Sequence, residues 1–349
     1  MQQCRVVVVD DSVFIRKFIT DILESDQDLK VVATAVNGID AIKKVKEFRP
    51  DVITLDIEMP QMDGLTALKI IMQECLCPVV MVSSHTKMGA EATIRALTLG
   101  AVDFVAKPSQ EVYLDMDLIK KELILKVKIA ARASYNLLKP SKEITGLNVR
   151  QTKVCKSPGL KKIVVIGSST GGPRALHTLF SKLPGNIPAG LAVVQHMPPG
   201  FTKSLADRLN SVSQVDVSEA LDGDELTAGR ALIAPGDKHM TINNCGGRFF
   251  VKLVDEPPIE GLRPSVDKMM ESVASCNIPL IGVILTGMGH DGVQGLKKIK
   301  SVNGFTIAEH ESTCIVYGMP RAAVENNCVD KTVPLPLIAN TILDNLSDC

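Results

Sequence analysis

The fold of the N-terminal part of the chain is decided by two stretches, Arg5-Val6-Val7-Val8-Val9-Asp10-Asp11 and Val52-Ile53-Thr54-Leu55-Asp56. Each is a run of β-branched and other apolar residues that ends in aspartate. Such near-continuous apolar runs are typical of strands in a parallel sheet that is covered on both faces. The same kind of run recurs five times and predicts strands at Arg5 to Val9, Leu29 to Ala35, Val52 to Leu55, Val79 to Val82 and Asp103 to Val105.

Amphipathic segments separate these predicted strands. Ser12 is a suitable helix N-cap, and the apolar residues between Phe14 and Ile22 fall on one stripe of a helix. A similar stripe runs from Leu65 to Met72. The alternation of strand and helix predicts a five-stranded parallel (βα)5 domain.

Polar side chains follow four of the predicted strands. Asp10 and Asp11 come after the first strand, Asp56 after the third, Ser83 after the fourth and Lys107 after the fifth. The carboxyl ends of parallel strands meet at one edge of the sheet, where such folds bind ligands. Any one of these residues alone would be interpreted as a solvated strand end. Three carboxylates at one edge need a cation, and Mg²⁺ prefers oxygen ligands, so the set predicts a metal site.

The motifs at these strand ends are Asp10-Asp11, Leu55-Asp56-Ile57-Glu58-Met59-Pro60-Gln61-Met62-Asp63-Gly64, Val82-Ser83-Ser84 and Ala106-Lys107-Pro108. With them, residues 1 to about 125 resemble the response-regulator receiver family. The resemblance implies that Asp56 accepts a phosphoryl group from a histidine kinase and that Asp10, Asp11 and Asp56 hold Mg²⁺. It also implies that Ser83 senses the phosphoryl oxygen and that Lys107 pairs with it.

The composition of the 349 residues restricts the class of protein. The length suggests two domains, and a hydrophobic fraction of 45% is typical of globular proteins. Thirty-nine basic and 39 acidic residues give no net charge, so nothing global favours nucleic acid or an anionic membrane. Nine cysteines without a C-x-x-C pair predict neither disulfides nor a zinc site, and no signal peptide or membrane span is predicted. We therefore expect a cytoplasmic protein.

A basic segment with proline and glycine, from Lys139 to Lys162, has the composition of a linker. We expect a receiver domain at residues 1–125, a linker at 126–160 and a second domain at 161–349. The second domain is predicted to be a doubly wound, mostly parallel α/β fold. Its predicted strands are Ile163 to Ile166, Leu191 to Val194, Ala231 to Ile233, Phe249 to Val254, Ile281 to Leu285 and Phe305 to Ala308.

A serine- and glycine-rich loop, Gly167-Ser168-Ser169-Thr170-Gly171-Gly172, joins a predicted strand to a predicted helix. A P-loop would need lysine where Pro173 and Arg174 stand, and a dinucleotide site lacks its ribose-binding acid after Val194. The remaining interpretation is G-x-S-x-G with Ser169 as a nucleophile, although serine and glycine are also common in turns.

A nucleophilic serine requires a base and a group that orients the base, both at strand ends of the same sheet. His196 and Asp291 fulfil these conditions. His239 and His290 remain competitors of His196, because each also lies in a turn-forming stretch. The chain order of serine, histidine and aspartate differs from that of α/β-hydrolases, so we expect a different sheet.

The motifs that surround these residues are Ile166 to Gly172, Gln195-His196-Met197-Pro198-Pro199-Gly200-Phe201, Ile233 to Met240, Arg263 to Asp267, Leu285 to Gly292 and Tyr317-Gly318-Met319-Pro320-Arg321. Together they resemble the chemotaxis protein-glutamate methylesterase family. The resemblance implies Ser169 as nucleophile, His196 as general base and acid, and Asp291 as its orienting carboxylate. We expect an oxyanion hole of backbone N–H groups near Met288 and the glycine-rich loop.

The resemblance also implies the biological setting. The substrates would be methyl esters, and also glutamines, of methyl-accepting chemoreceptors, with a chemotaxis histidine kinase as phosphodonor and no cofactor for the esterase. Ser168 and His290 depart from the residues that the family often carries, Ala and Asn. A rival hypothesis is a receiver joined to a non-catalytic binding domain. A DNA-binding output is disfavoured, because no helix-turn-helix follows the linker.

Overall fold

The computed structural model describes residues 3–84, 86–107, 116–133 and 159–347. The chain divides into two compact units, Met1–Glu143 and Ile144–Cys349. Most of the predicted linker lies outside the described residues. In the described residues, no helix combines the length and apolar character needed to cross a bilayer.

The N-terminal unit is the predicted five-stranded sheet with its helices. All pairings are parallel, in the order β2-β1-β3-β4-β5. The first helix is capped as expected, because the Ser12 side chain accepts a hydrogen bond from the Ile15 N–H. The last helix extends beyond residue 125. The elements are β1 (Cys4–Val9), α1 (Val13–Glu24), β2 (Leu29–Ala35), α2 (Gly38–Phe48), β3 (Val52–Asp56), α3 (Gly64–Glu74), β4 (Val79–Ser83), α4 (Lys87–Leu99), β5 (Asp103–Ala106) and α5 (Met116–Ala131).

The C-terminal unit contains a seven-stranded parallel sheet and a separate two-stranded antiparallel hairpin. The elements are β6 (Lys162–Ser168), α6 (Gly172–Phe180), β7 (Ala189–Gln195), α7 (Phe201–Val212), β8 (Asp216–Glu219), β9 (Arg230–Ile233), β10 (His239–Cys245), β11 (Arg248–Val254), α8 (Val266–Ala274), β12 (Leu280–Ile284), α9 (Val293–Ser301), β13 (Phe305–Glu309), α10 (Met319–Glu325), β14 (Lys331–Val333) and α11 (Leu335–Ser347).

The order of the large sheet is β14-β13-β12-β6-β7-β9-β8. The chain therefore leaves β6 toward β7 on one side and later returns to β12 on the other, which confirms the predicted doubly wound fold. The strands β6, β7 and β12 are almost entirely buried. On one face the core residues come from α8, α9, α10 and the hairpin, while α6 contacts both α7 and α11. Open sheets of this kind bind ligands where the strand order reverses.

One strand that the sequence predicted for the large sheet lies outside that sheet. We predicted Phe249 to Val254 as part of the series that forms the sheet, but β11 pairs with β10 in the hairpin and is not a strand of the large sheet. Gly246 and Gly247 join the two strands with φ values of 64° and 85°. Both residues thus adopt the left-handed conformation that two-residue hairpin turns require, and glycine adopts it without steric cost.

Candidate functional site

The acidic residues of the first unit meet at the carboxyl edge of its sheet. Asp10, Asp11 and Asp56 each offer a carboxylate oxygen, and these oxygens lie within 4.8 Å of one another. The Lys107 Nζ lies 2.9 Å from an oxygen of Asp10 and 2.9 Å from an oxygen of Asp56. The structure therefore brings four of the predicted receiver residues together.

The electrostatics of this pocket reflect crowded negative charge. Burial raises the pKa of Asp56 to about 6, against the lowering effect of Lys107 and with a further raising effect from Asp10. One ammonium group thus does not compensate the buried carboxylates. A set of three carboxylates with a single ammonium group retains negative charge, and its oxygen donors match the coordination preference of Mg²⁺.

Ser83 lies beside this pocket but points its hydroxyl into the helix that follows. Its Oγ lies 3.2 Å from the carbonyl oxygen of Gly89 and accepts a hydrogen bond of 2.6 Å from the Thr93 hydroxyl. The Lys107 N–H donates to the Ser83 carbonyl at 2.7 Å. The Ser83 hydroxyl must therefore exchange these partners before it can contact a group on Asp56.

The second unit brings Ser169, His196 and Asp291 to the carboxyl ends of three adjacent strands. Ser169 follows β6, His196 follows β7, and Asp291 lies in the loop after β12. The loops are joined by their backbones, because the His196 N–H donates to Ser168 O and the Ser169 N–H donates to Thr286 O, both at 3.1 Å.

His196 and Asp291 form a direct pair, with 2.8 Å between His196 Nε2 and Asp291 Oδ2. Both side chains are almost fully buried. Because the carboxylate accepts at Nε2, that nitrogen carries the proton and Nδ1 is free to act as a base. Nδ1 is buried, and it has no hydrogen-bond partner in the part of the chain that the structure describes.

Asp291 itself is held by the first turn of α8. The backbone N–H groups of Val266 and Asp267 donate to it at 2.7 and 2.9 Å, and the Ser265 hydroxyl donates at 3.1 Å. Burial would raise the pKa of Asp291, but the hydrogen bonds from His196 and from these N–H groups outweigh it, so the pKa lies below its usual value. The helix N-terminus thus keeps the carboxylate ionised.

The two adjacent serines have different environments. Ser168 is fully buried and its hydroxyl donates to Gln195 Oε1 at 2.7 Å, whereas Ser169 is only half-buried. The Gln195 amide nitrogen lies 2.9 Å from Ser169 O and 3.1 Å from His196 O, so it links the loops of the proposed nucleophile and base. A side chain at Gly172 would clash, because its Cβ would lie 1.9 Å from Gln195 Oε1. Of the two serines, Ser169 is thus the more accessible to solvent.

The competing histidines have structural partners. His239 is fully buried, with Nε2 3.1 Å from Pro257 O and with Nδ1 accepting the Ser265 N–H at 3.2 Å. It therefore supports the residue that caps α8. His290 is 63% exposed and its Nε2 lies 2.9 Å from Glu260.

The segment around Met288 lies against the nucleophile loop. A Cβ at Gly287 would lie 2.8 Å from the Cβ of Ser169, so glycine is needed for this close approach. Gly287 is fixed by its N–H, which donates to Val316 O, and by its carbonyl, which accepts from Met319 N–H. The backbone N–H of Met288 makes no hydrogen bond to any described residue. No bond among these residues thus competes with its predicted role as an oxyanion donor.

Two family descriptions match the chain, one in its N-terminal part and one in its C-terminal part. Residues 164–342 match the family described as CheB methylesterase, and residues 6–118 match the response regulator receiver domain. A protein-glutamate methylesterase/protein-glutamine glutaminase of Symbiobacterium thermophilum is 49% identical, over 97% of this chain and 96% of that protein. One of the same name from Pyrococcus abyssi is 47% identical, over 98% and 93%. The crystal structure of the Thermotoga maritima CheB methylesterase catalytic domain is 46% identical over 53% of this chain and 98% of that chain, with a TM-score of 0.52.

Proposed function

Because the chain belongs to the CheB methylesterase family and carries a receiver domain in front of it, we propose that it hydrolyses glutamate 5-O-methyl esters on chemoreceptors and releases methanol. The observation that carries the proposal is the hydrogen bond between His196 Nε2 and Asp291. It leaves Nδ1 of His196 without a partner among the described residues, and His196 follows the strand adjacent to the one that Ser169 follows.

The chemical steps are those of acyl transfer to serine. The Ser169 hydroxyl attacks the ester carbonyl while His196 Nδ1 takes its proton. The negative charge that develops on the carbonyl oxygen is stabilised by the Met288 N–H, a contribution of about 3 kcal/mol for one such donor. His196 then returns the proton to the leaving methanol, and water hydrolyses the acyl-enzyme by the reverse proton transfers.

Asp291 acts on the base and not on the substrate. Its carboxylate keeps the proton of His196 on Nε2 and stabilises the imidazolium that forms. The same machinery accepts a glutamine side-chain amide, with ammonia in place of methanol as the leaving group. We therefore propose deamidation of receptor glutamines as a second activity, in agreement with the names of the relatives.

The receiver domain would control this activity through Asp56. Asp10, Asp11 and Asp56 would hold Mg²⁺, which when bound neutralises the charge of the carboxylates and of an incoming phosphoryl group. Asp56 would accept that group from a chemotaxis histidine kinase, and Lys107 would pair with it. We place these reactions in the cytoplasm, with no nucleic acid as a partner and no insertion into the membrane.

The test is methanol release from methylated receptor membranes, with and without a small-molecule phosphodonor. We expect Ser169→Ala to abolish most of the release and Ser168→Ala, the matched control, to preserve it. A phosphodonor should accelerate the wild type but not Asp56→Asn. If Ser169→Ala released methanol as fast as the wild type, Ser169 would not be the nucleophile. If the wild type itself released no methanol, the alternative of a non-catalytic binding domain would be the better account.

A further inference from the structure

We propose that Glu309 is a positioning residue of the esterase, which fixes the oxyanion segment Thr286-Gly287-Met288 through the backbone N–H of Thr286. The inference rests on the proposed function and extends it to a residue outside the Ser169, His196 and Asp291 set. Glu309 ends β13, is fully buried, and accepts the Thr286 N–H on Oε2 at 2.8 Å.

Thr286 is the point at which three loops are joined. Its carbonyl accepts the Ser169 N–H at 3.1 Å, and its hydroxyl accepts the Val316 N–H at 2.9 Å and lies 3.0 Å from Thr170 O. Glu309 thus holds the peptide group that precedes the Thr286 Cα, and the Ser169 N–H binds the peptide group that follows it. This second peptide group leads directly into Gly287 and Met288.

Burial of the Glu309 carboxyl costs free energy unless hydrogen bonds or a cation compensate it. Its second oxygen, Oε1, is buried and has no hydrogen-bond partner among the residues that the structure describes. The polar groups that face the carboxyl are the Thr286 N–H, Thr313 and the buried Cys314, whose own pKa is raised. The described residues supply no cation to it. The one hydrogen bond that holds this buried acid to a described backbone group is the bond to the Thr286 N–H, and it gives the acid a structural task.

The charge state of Glu309 follows from this environment. Burial raises its pKa to about 7, and the Thr286 N–H and the Thr313 side chain oppose that rise only in part. Near neutral pH the carboxyl thus changes from a neutral acceptor to an uncompensated anion. The anion would lie behind the segment that carries the proposed oxyanion donor, the Met288 N–H, and like charges repel.

The experiment compares Glu309→Gln with Glu309→Leu in the full chain, with methanol release from methylated receptor membranes as the assay. Glutamine keeps an acceptor for the Thr286 N–H, whereas leucine removes it. We expect Glu309→Leu to lower kcat about 10- to 100-fold with little change in KM, because removal of an oxyanion donor outright costs about 100- to 1,000-fold. Glu309→Gln should restore kcat. Glu311→Gln, at an exposed acid two residues away, is the matched control and should behave as the wild type.

A pH profile provides a readout that a purely structural role would not alter, and it remains valid if Glu309→Leu fails to fold. The ratio of kcat for Glu309→Gln to kcat for the wild type should rise about threefold or more between pH 6 and pH 8, because only the wild type can ionise there. A constant ratio, or full kcat in folded Glu309→Leu, would overturn the inference. Ser169→Ala measured in parallel separates this outcome from failure of the proposed function, since only the latter would leave Ser169→Ala as active as the wild type.

Discussion

Replacement of Asp291 by asparagine tests the central geometry most directly, because each oxygen of the carboxylate has its own partners. Oδ2 accepts from His196 and Val266, and Oδ1 accepts from Asp267 and Ser265. An amide group at the Oδ2 position would oppose the Val266 N–H and force the His196 proton onto Nδ1. An amide group at the Oδ1 position opposes only the Asp267 N–H and can donate to the Ser265 hydroxyl. We therefore expect the second orientation, which keeps the correct tautomer of His196.

The magnitudes follow from what this orientation loses. One buried N–H without an acceptor costs about 1–3 kcal/mol, and loss of the negative charge at the N-terminus of α8 adds about 0.3–1 kcal/mol. The free energy of unfolding should therefore fall by roughly 1–4 kcal/mol in a denaturant titration. Without a carboxylate the imidazolium is less stable, so kcat should fall by about 100- to 10,000-fold, the usual worth of general-base catalysis.

Two measurements would refute this reasoning. If kcat of the folded Asp291→Asn variant stayed within tenfold of the wild type, the charge of Asp291 would not be needed by His196. If the variant were as stable as the wild type, the first turn of α8 would not depend on the carboxylate. Stability of the wild type should also fall in acid: because the folded pKa lies below the unfolded one, the contribution of Asp291 is complete above about pH 4 and is lost as pH falls through the folded pKa.

Three further predictions follow from the structure. Asp56→Asn should abolish phosphoryl labelling from a small phosphodonor, and chelation of Mg²⁺ should do the same in the wild type; labelling that persists in either case would point to another site. Ser168→Ala should lower the free energy of unfolding by about 1 kcal/mol, through its lost hydrogen bond to Gln195, and change kcat only a few-fold; a loss of activity as large as that of Ser169→Ala would exchange the two roles. Because the pKa of Glu309 is about 7 in the fold, the stability that Glu309→Gln gains over the wild type should grow by about 3 kcal/mol between pH 4.5 and pH 8, a trend that urea titrations at several pH values would detect or exclude.

The strands that the sequence predicted correctly are those whose own residues form an apolar, β-branched run. The five strands of the receiver sheet were predicted to within one residue at either end, because each is a short run rich in apolar residues, and all except β2 are mostly buried. The strands β8, β10 and β14 were missed for the opposite reason. Half or more of the residues of each are partly or fully exposed, so their pairing with neighbours and not their composition makes them strands.

The hairpin could have been recognised from the residues. Cys245-Gly246-Gly247-Arg248 is a two-glycine turn between polar and apolar alternation, which favours two strands with a tight connection. The residues that hold the candidate catalytic side chains in place could not be recognised in this way, because no sequence pattern marks them. Gln195 and Ser265 contact their partners only after the sheet has formed, over separations of 26 or 27 residues, and neither residue type indicates such a role by itself.

The order of the three candidate catalytic residues along the chain is a consequence of the sheet topology. The strand β6 lies between β12 and β7, so the loop that carries Ser169 stands at the point where the strand order reverses. His196 reaches it from the strand added next, and Asp291 from the strand added much later on the opposite side. The loop that carries Asp291 must therefore extend past the end of β6 to bring Asp291 to His196. It can do so because the first turn of α8 supplies N–H groups to a carboxylate that would otherwise be buried without compensation. The order Ser, His, Asp thus requires both a reversal next to β6 and a helix that begins there.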